Sequence, residues 1–389
     1  MQTQDEIYFD NAATTKVADC AITAALNTMQ KDFGNPSSLH KKGTEAKNII
    51  EEARQTISDL LSCKPSEIYF TSGASESNII AILGTLLPKP HKANKIITSS
   101  IEHKSVLNCV KTAESLGYVV QYIKPKNNQI SAEELKEMVD SSTALVSVMH
   151  VNNETGSIND IKELADAVKL KNKKTLFHCD ACQSVGKLSI FLPKFNIDML
   201  SFSGHKLHAP KGIGGLYLKK GVKACLVCGG TQESGVRMGT ENVSGIAALG
   251  AVCKKLNNKI IEENLQKVSK LKNKLVDSLI TEFKDNVTIN SPGDASPYIL
   301  NFSVLGLPAQ VLQNCLQDYG IFVSTGSACS KNAKSYVLKE LRLSDRIINS
   351  AIRVSFCNEN TVKEVERFVE VLKNAVFNLK ELNARGDKN

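Results

Sequence analysis

The sequence predicts an α/β protein, with a large domain on a seven-stranded, mostly parallel sheet and a smaller α+β domain. From about residue 43 to 250, short apolar runs alternate with amphipathic segments, the pattern of strands joined by helices that pack on a parallel sheet. Past a long amphipathic stretch, residues 254–283, isolated strand-like runs and one terminal helix follow. A chain of 389 residues that is 42% hydrophobic can bury a large core and suggests two domains, or one with a satellite.

The elements follow in order. Ala46, Ile49, Ile50, Ala53, Ile57, Leu60 and Leu61 recur at helical spacing. Seven runs read as strands: Ile68 to Phe70, Lys95 to Thr98, Val119 to Ile123, Leu145 to Met149, Thr175 to His178, Met199 to Ser203, and Gly215 to Leu218. Residues 254–283 read as one helix leading out of this domain. Tyr298 to Phe302 and Ile321 to Val323 are expected strands of the smaller domain. Thr361 with Glu364 forms a capping-box pattern before Val365, Phe368, Leu372, Leu379 and Leu382 at near-helical spacing. The expected domains are 14–258 for the larger, and 1–13 with 259–389 for the smaller. No internal repeat, low-complexity linker or coiled coil is visible.

Composition narrows the function classes. Forty-eight basic against 40 acidic residues leave a net charge of +8, spread along the chain, which permits nucleic-acid binding without indicating it. No apolar run approaches the roughly 20 residues that cross a bilayer, and Met1 to Glu6 is polar and unlike a signal peptide, so a cytoplasmic protein is expected. Eleven cysteines, an odd number, then read as reduced thiols and not as a disulfide framework. Cys179 to Cys182 and Cys225 to Cys228 have Cys-x-x-Cys spacing, but the first straddles Asp180 and the pairs stand about 42 residues apart, too far for a compact zinc ribbon. No metal site is expected.

The residues that carry chemistry fall at strand ends. Ser203-Gly204-His205-Lys206 closes the apolar run from Met199 and precedes a glycine-rich stretch. A lysine there, desolvated and beside other cationic groups, can be neutral enough to attack a carbonyl, so Lys206 is the candidate covalent anchor for pyridoxal phosphate. After Ile68 to Phe70 comes Thr71 to Asn78, small residues opening a helix, whose first N–H groups suit a phosphate with Ser75 adding a hydroxyl. Taken alone, such a turn is common. Asp180 ends the strand before Lys206, where open α/β sheets bind ligands, and a carboxylate there could keep a pyridine nitrogen protonated. A helix-capping role for Asp180 stays open on these grounds. Gln183 could reach a ring hydroxyl, and His103 could stack on a flat cofactor or serve the fold alone. Cys329, among small polar residues just past a strand, is the cysteine placed to react. Arg353 stands inside an alternating apolar strand and needs an anion, for which a substrate carboxylate suits its fork.

Taken together, Tyr8 to Thr15, Gly34 to Ser38, Thr71 to Asn78, His150 to Gly156, Asp180 to Gly186, Ser203 to Lys206, Arg237 to Thr240 and Gly326 to Cys329 resemble, in order and nearly end to end, the NifS/IscS type of cysteine desulfurase in the class V aminotransferase family. The resemblance implies the pyridoxal-phosphate-dependent transferase fold type I. It further implies that Lys206 anchors the cofactor, His103 stacks on its ring, Asp180 pairs with the pyridine nitrogen, and Asn153 and Gln183 address the ring oxygen. Ala74, Ser75, Ser203 and His205 would cup the phosphate, with Thr240 supplied by a second subunit of a homodimer. Asn35 and Arg353 would hold the carboxylate of L-cysteine. The implied reaction gives L-alanine and a persulfide on Cys329, which passes to an acceptor protein for iron–sulfur assembly or for tRNA or cofactor thiolation, with no direct nucleic-acid or membrane partner. Two departures stand out: the run after Cys329 is about two residues shorter than in familiar members, and Cys225-Leu226-Val227-Cys228 is unusual. Selenocysteine lyases and other class V enzymes share the fold, while a sulfur-carrier or scaffold subunit would not need Lys206, Asp180 and Cys329 together.

Overall fold

The structure, a computed structural model, describes residues 6–87, 93–226, 230–325 and 334–386, with side chains up to 381. Two compact units emerge: a larger one of residues 15–151 and 159–262, and a smaller one of residues 1–14, 152–158 and 263–389. The boundaries differ slightly from those expected, and 152–158 joins the smaller unit. That segment is tied there by hydrogen bonds from Ser291 Oγ to the Thr155 carbonyl (2.6 Å), from Ser296 N–H to the Gly156 carbonyl (2.8 Å) and from Asn301 Nδ2 to the Glu154 carbonyl (3.2 Å).

Past the short strand β1 (Ile7–Tyr8), the larger unit begins with helices α1 (Asp19–Gln30) and α2 (Lys41–Leu61). Its alternating part runs β2 (Ile68–Thr71), α3 (Ala74–Leu86), β3 (Lys95–Ser99), α4 (Lys104–Ser115), β4 (Val119–Ile123), α5 (Ala132–Met138), β5 (Thr143–Met149), α6 (Ile161–Lys171), β6 (Leu176–Asp180), β7 (Met199–Ser203), β8 (Gly214–Leu218) and α7 (Val243–Cys253). All seven expected strands form one sheet, ordered β2-β8-β7-β6-β5-β3-β4, in which only β8 runs antiparallel to its neighbours. Strand alternation sends successive side chains to opposite faces. Val146, Phe177, Leu200 and Phe202 pack with Ile50, Ile57, Leu135, Leu164 and Leu249 of the helices on one side. Leu145, Met199 and Leu216 pack with Ile80, Ile82, Val106 and Val110 of α3 and α4 on the other. Because both faces are covered, all seven residues of β5 are buried, which is why its sequence reads as a continuous apolar run.

The helix expected over 254–283 is α8 (Asn258–Phe283), which starts four residues later than expected, α7 having ended at Cys253. Asn257 sets that start, since its side-chain oxygen accepts the Ile260 N–H (3.0 Å).

In the smaller unit β9 (Val287–Ile289), β10 (Ile299–Val304) and β12 (Ala351–Ser355) form an antiparallel sheet ordered β12-β10-β9. Around it stand α9 (Ala309–Asp318), α10 (Tyr336–Glu340), α11 (Asp345–Asn349) and the long α12 (Val362–Gly386), while β11 (Ile321–Phe322) pairs in parallel with β1. Phe9, Phe302, Phe356 and Phe368 meet edge to face in its core, with centroids 5.2–6.5 Å apart. The expected capping box is present: Glu364 accepts the Thr361 N–H, and Thr361 Oγ1 accepts the Glu364 N–H. Among the described residues, no helix is long and apolar enough to cross a membrane.

Candidate active site

The larger unit gathers its polar groups where β2, β6 and β7 end. Parallel pairing sets the ends of β6 and β7 side by side, and antiparallel β8 between β7 and β2 leaves β2 running the same way, so its end falls on the same edge of the sheet. β7 ends at Ser203 and turns at once through a short 3-10 segment, Gly204–Lys206. Thr15 anchors that turn, donating both its N–H and its hydroxyl to the His205 carbonyl at 2.9 Å. Lys206 and His205 are half-buried. Burial first, and then Lys206, Lys211 and Lys187, hold the His205 imidazole down at about 4, so it is neutral at pH 7.

One strand over, Asp180 is 5% exposed and both of its oxygens accept. Oδ1 takes the Cys182 N–H (3.0 Å) and Oδ2 takes the Asn78 amide (2.9 Å). Asp180, Lys206 and Lys104 all act electrostatically on His103, whose pKa is lowered, chiefly by burial. His103 also caps α4, its Nδ1 accepting the Ser105 N–H at 3.2 Å and lying 2.8 Å from Ser105 Oγ. The capping role and a cofactor-facing role are compatible, since the cap uses one ring nitrogen. Gln183 is buried, with its Oε1 receiving the Lys187 ammonium (3.1 Å).

At the third strand end, β2 leads through Gly73 into α3. Gly73 has φ 152° and ψ 175°, a conformation open essentially to glycine alone. A side-chain carbon on it would stand 3.5 Å from Ser203 Oγ, and one on Gly214 would collide with the Gly73 Cα at 2.6 Å. Two glycines thus let the first turn of α3 lie close to the end of β7. The first N–H groups of a helix have no partner within it, so those of Ala74 and Ser75 are offered beside Ser203.

These features fit pyridoxal phosphate. A helix N-terminus with a hydroxyl close by suits a phosphate, a buried acceptor-only carboxylate suits a protonated pyridine nitrogen, and a half-buried lysine stands among other cations. Of the expected site residues, Ala74, Ser75, His103, Asp180, Gln183, Ser203, His205 and Lys206 all belong to this part of the larger unit. Asn35 and Thr240 are exposed on loops of the same unit, and among the described residues neither is hydrogen-bonded to that group.

Asn153 and Arg353 belong to the smaller unit. Arg353, 2% exposed on β12, meets the anion that its strand position calls for: Nη2 pairs with Asp10 Oδ1 (2.7 Å), and Nη1 donates to the Asn153 carbonyl (2.9 Å). Among the described residues, its Nε and the Asn153 side-chain oxygen are buried without a hydrogen-bond partner. Cys329 and Cys228 lie outside the described residues. On either side of the Cys329 segment, Ser324 exchanges backbone hydrogen bonds with Arg353 (3.1 and 2.7 Å), and Ser335 Oγ donates to the Glu154 carboxylate.

Residues 7–368 match the aminotransferase class-V family model. The chain belongs to that family, among its cysteine desulfurases. It is 40% identical to a NifS/IcsS protein homolog of Lactobacillus delbrueckii subsp. bulgaricus, over 98% of this chain and 100% of the relative. It is 38% identical to cysteine desulfurase IscS of Methanosarcina thermophila, over 97% and 93%. A solved NifS-like protein superposes with a TM-score of 0.90 at 37% identity, covering 96% of this chain and 99% of that one.

Within this class-V site, sequence reasoning passed over Asn78, Ser105, Glu102 and Lys187. Asn78 is fully buried in α3, directly before the apolar run Ile79 to Leu83, which is the signal that could have marked it. Glu102, also fully buried, accepts from Ser99 Oγ and from Met149 N–H, and burial pushes it up to about 8. Neither residue stands in a spacing that suggests chemistry.

Proposed function

We propose that this chain takes the sulfur of L-cysteine onto Cys329 with pyridoxal phosphate held at Lys206, releases L-alanine, and passes the sulfur to an acceptor protein. The observation that carries the reading is the meeting of Asp180, His103 and Lys206 at the adjacent ends of β6 and β7, next to the first turn of α3. Bound there, the cofactor would supply an electron sink for the substrate Cα.

The chain's own groups do the rest. The Ala74 and Ser75 N–H groups with Ser203 and His205 bind the phosphate, and Asp180 holds a proton on the pyridine nitrogen. Gln183 and Asn153 address the ring oxygen, and Lys206 takes and returns the Cα proton as a general base and acid. Asn35 and Arg353 orient the substrate carboxylate. The Cys329 thiolate attacks the substrate sulfur: an S–S bond forms, the Cβ–S bond breaks, and its electron pair takes up a proton to complete the alanine methyl group. Burial raises the thiols of Cys63, Cys182 and Cys253 to about 12, far from a thiolate at neutral pH.

The exposed Thr240 suits a hydroxyl lent to the phosphate site of a second copy. Ile22, Leu26, Met29 and Phe33, 50–69% exposed along and just beyond α1, form an apolar stripe that a homodimer would cover. Cys20, Cys63, Cys109, Cys179, Cys182, Cys253, Cys315 and Cys357 are free thiols, consistent with a cytoplasmic enzyme whose sulfur goes to an iron–sulfur scaffold or a tRNA-thiolation enzyme.

Borohydride reduction and peptide mapping test the anchor, and a pyridoxyl group on any other lysine refutes it. Cys329→Ala tests the sulfur step: the variant should bind the cofactor normally yet form neither persulfide nor alanine, and alanine at the wild-type rate would overturn the assignment.

A further inference from the structure

Asp180 and His103 are joined by a hydrogen-bond relay whose direction the donors and acceptors dictate. A carboxylate accepts and cannot donate, so the amide group that meets Asp180 Oδ2 at 2.9 Å is the Asn78 NH2; the reverse amide orientation would set two oxygens against each other. The second hydrogen of that NH2 goes to Ser105 Oγ, also at 2.9 Å. The Ser105 backbone N–H donates to His103 Nδ1 at 3.2 Å, which makes that nitrogen an acceptor. The Ser105 hydroxyl, 2.8 Å from Nδ1 and accepting from Asn78, therefore turns its own proton to it. Nδ1 thus faces two donors, and the neutral ring must carry its proton on Nε2.

We propose that Asn78 and Ser105 are positioning residues that carry the orientation of the Asp180 carboxylate to His103 and fix its resting state as the neutral Nε2–H tautomer. This rests on reading Asp180 and His103 as cofactor-facing groups. In that state Nε2 carries a hydrogen and donates a hydrogen bond but has no lone pair to accept a proton, so taking the Cα proton falls to Lys206. The charges around the ring are Asp180 from β6, Lys206 from the turn after β7 and Lys104 from α4; burial is the largest influence and, with the two lysines, lowers the imidazole's pKa against the pull of Asp180.

The test is nitrogen-15 NMR of the cofactor-loaded enzyme labelled in histidine, with the His103 signal assigned by its loss in His103→Asn. Wild type should show Nε2–H at pH 7 to 8. Ser105→Ala removes a donor to the neutral form, so the His103 pKa should rise by roughly half to one unit. Ser105→Thr keeps the hydroxyl and should restore the wild-type value. Asn78→Ala leaves the hydroxyl free to turn away and should populate the Nδ1–H tautomer. An Nδ1–H or doubly protonated ring in wild type overturns the proposal, as does an unchanged tautomer and pKa in Ser105→Ala. Should Asn78→Ala not fold, the two Ser105 variants still decide. If borohydride fails to label Lys206 the cofactor reading falls, whereas the tautomer measurement on the same protein judges the relay separately.

Discussion

Removing the carboxylate of Glu233 should unfasten a buried ionic knot in the larger unit. Arg54 of α2 grips it in a fork, Nη1 to Oε2 at 2.9 Å and Nη2 to Oε1 at 2.8 Å, and Oε2 also accepts the Phe70 N–H of β2 at 2.7 Å. The guanidinium bonds the Ile68 carbonyl as well and lies 4.9 Å over the Phe70 ring. The side chains of Arg54 and Glu233 are only 12% and 2% exposed, so solvent does little to screen the pair. Glu233→Ala strands a buried cation and a backbone N–H. Breaking such a pair costs about 3–5 kcal/mol, with the orphaned N–H favouring the upper end. The double variant Arg54→Met with Glu233→Leu has no charge to strand and should return to within about 1 kcal/mol of wild type, because apolar replacement of a buried pair is often neutral. Urea unfolding of all three proteins, followed by circular dichroism, measures this. A loss below about 1 kcal/mol for Glu233→Ala, or a double variant at least as unstable as the single one, would refute the reasoning.

Three further outcomes are expected. Gly73→Ala forces an alanine into a glycine-only conformation at about 1–3 kcal/mol, so pyridoxal phosphate affinity by absorbance titration should drop roughly tenfold to a hundredfold in a protein that still folds, and unchanged affinity would remove Gly73 from the phosphate cup. Asp10→Ala leaves Arg353 without its charge partner and should cost about 2–3 kcal/mol in denaturation, moderated because the Asp10 side chain is 21% exposed, with Asp10→Asn costing less. His178, buried between Ser147 Oγ (2.8 Å) and Ser201 Oγ (2.9 Å), is held by burial at about 4; the unfolded chain therefore binds more protons between pH 6.5 and 4, stability falls as pH drops through that window, and His178→Gln should flatten this part of the pH–stability curve.

What was legible in the chain was local. Continuous apolar runs such as Leu145 to Met149 announced strands because a sheet covered on both faces demands them, and Thr361 with Glu364 marked a helix start because the bonds that make it span only three residues. Lys206 and Asp180 were visible because each ends such a run, and strand ends are where an α/β sheet binds ligands. The start of α8 was expected four residues early because Asn257, whose side chain accepts the Ile260 N–H there, is one polar residue in an amphipathic stretch.

Non-local partners were hidden. Asn78 looked like one more polar residue in a helix until folding carried it to Asp180, 102 positions away. Arg353 plainly required an anion, but strand pattern could not say that Asp10, 343 positions earlier, would supply it. Periodicity and turn chemistry act over a few residues and are written along the chain, whereas hydrogen bonds and ion pairs between distant segments exist only once strands are ordered in a sheet; composition and spacing chose the elements and the chemistry on offer, and packing chose which of those groups meet.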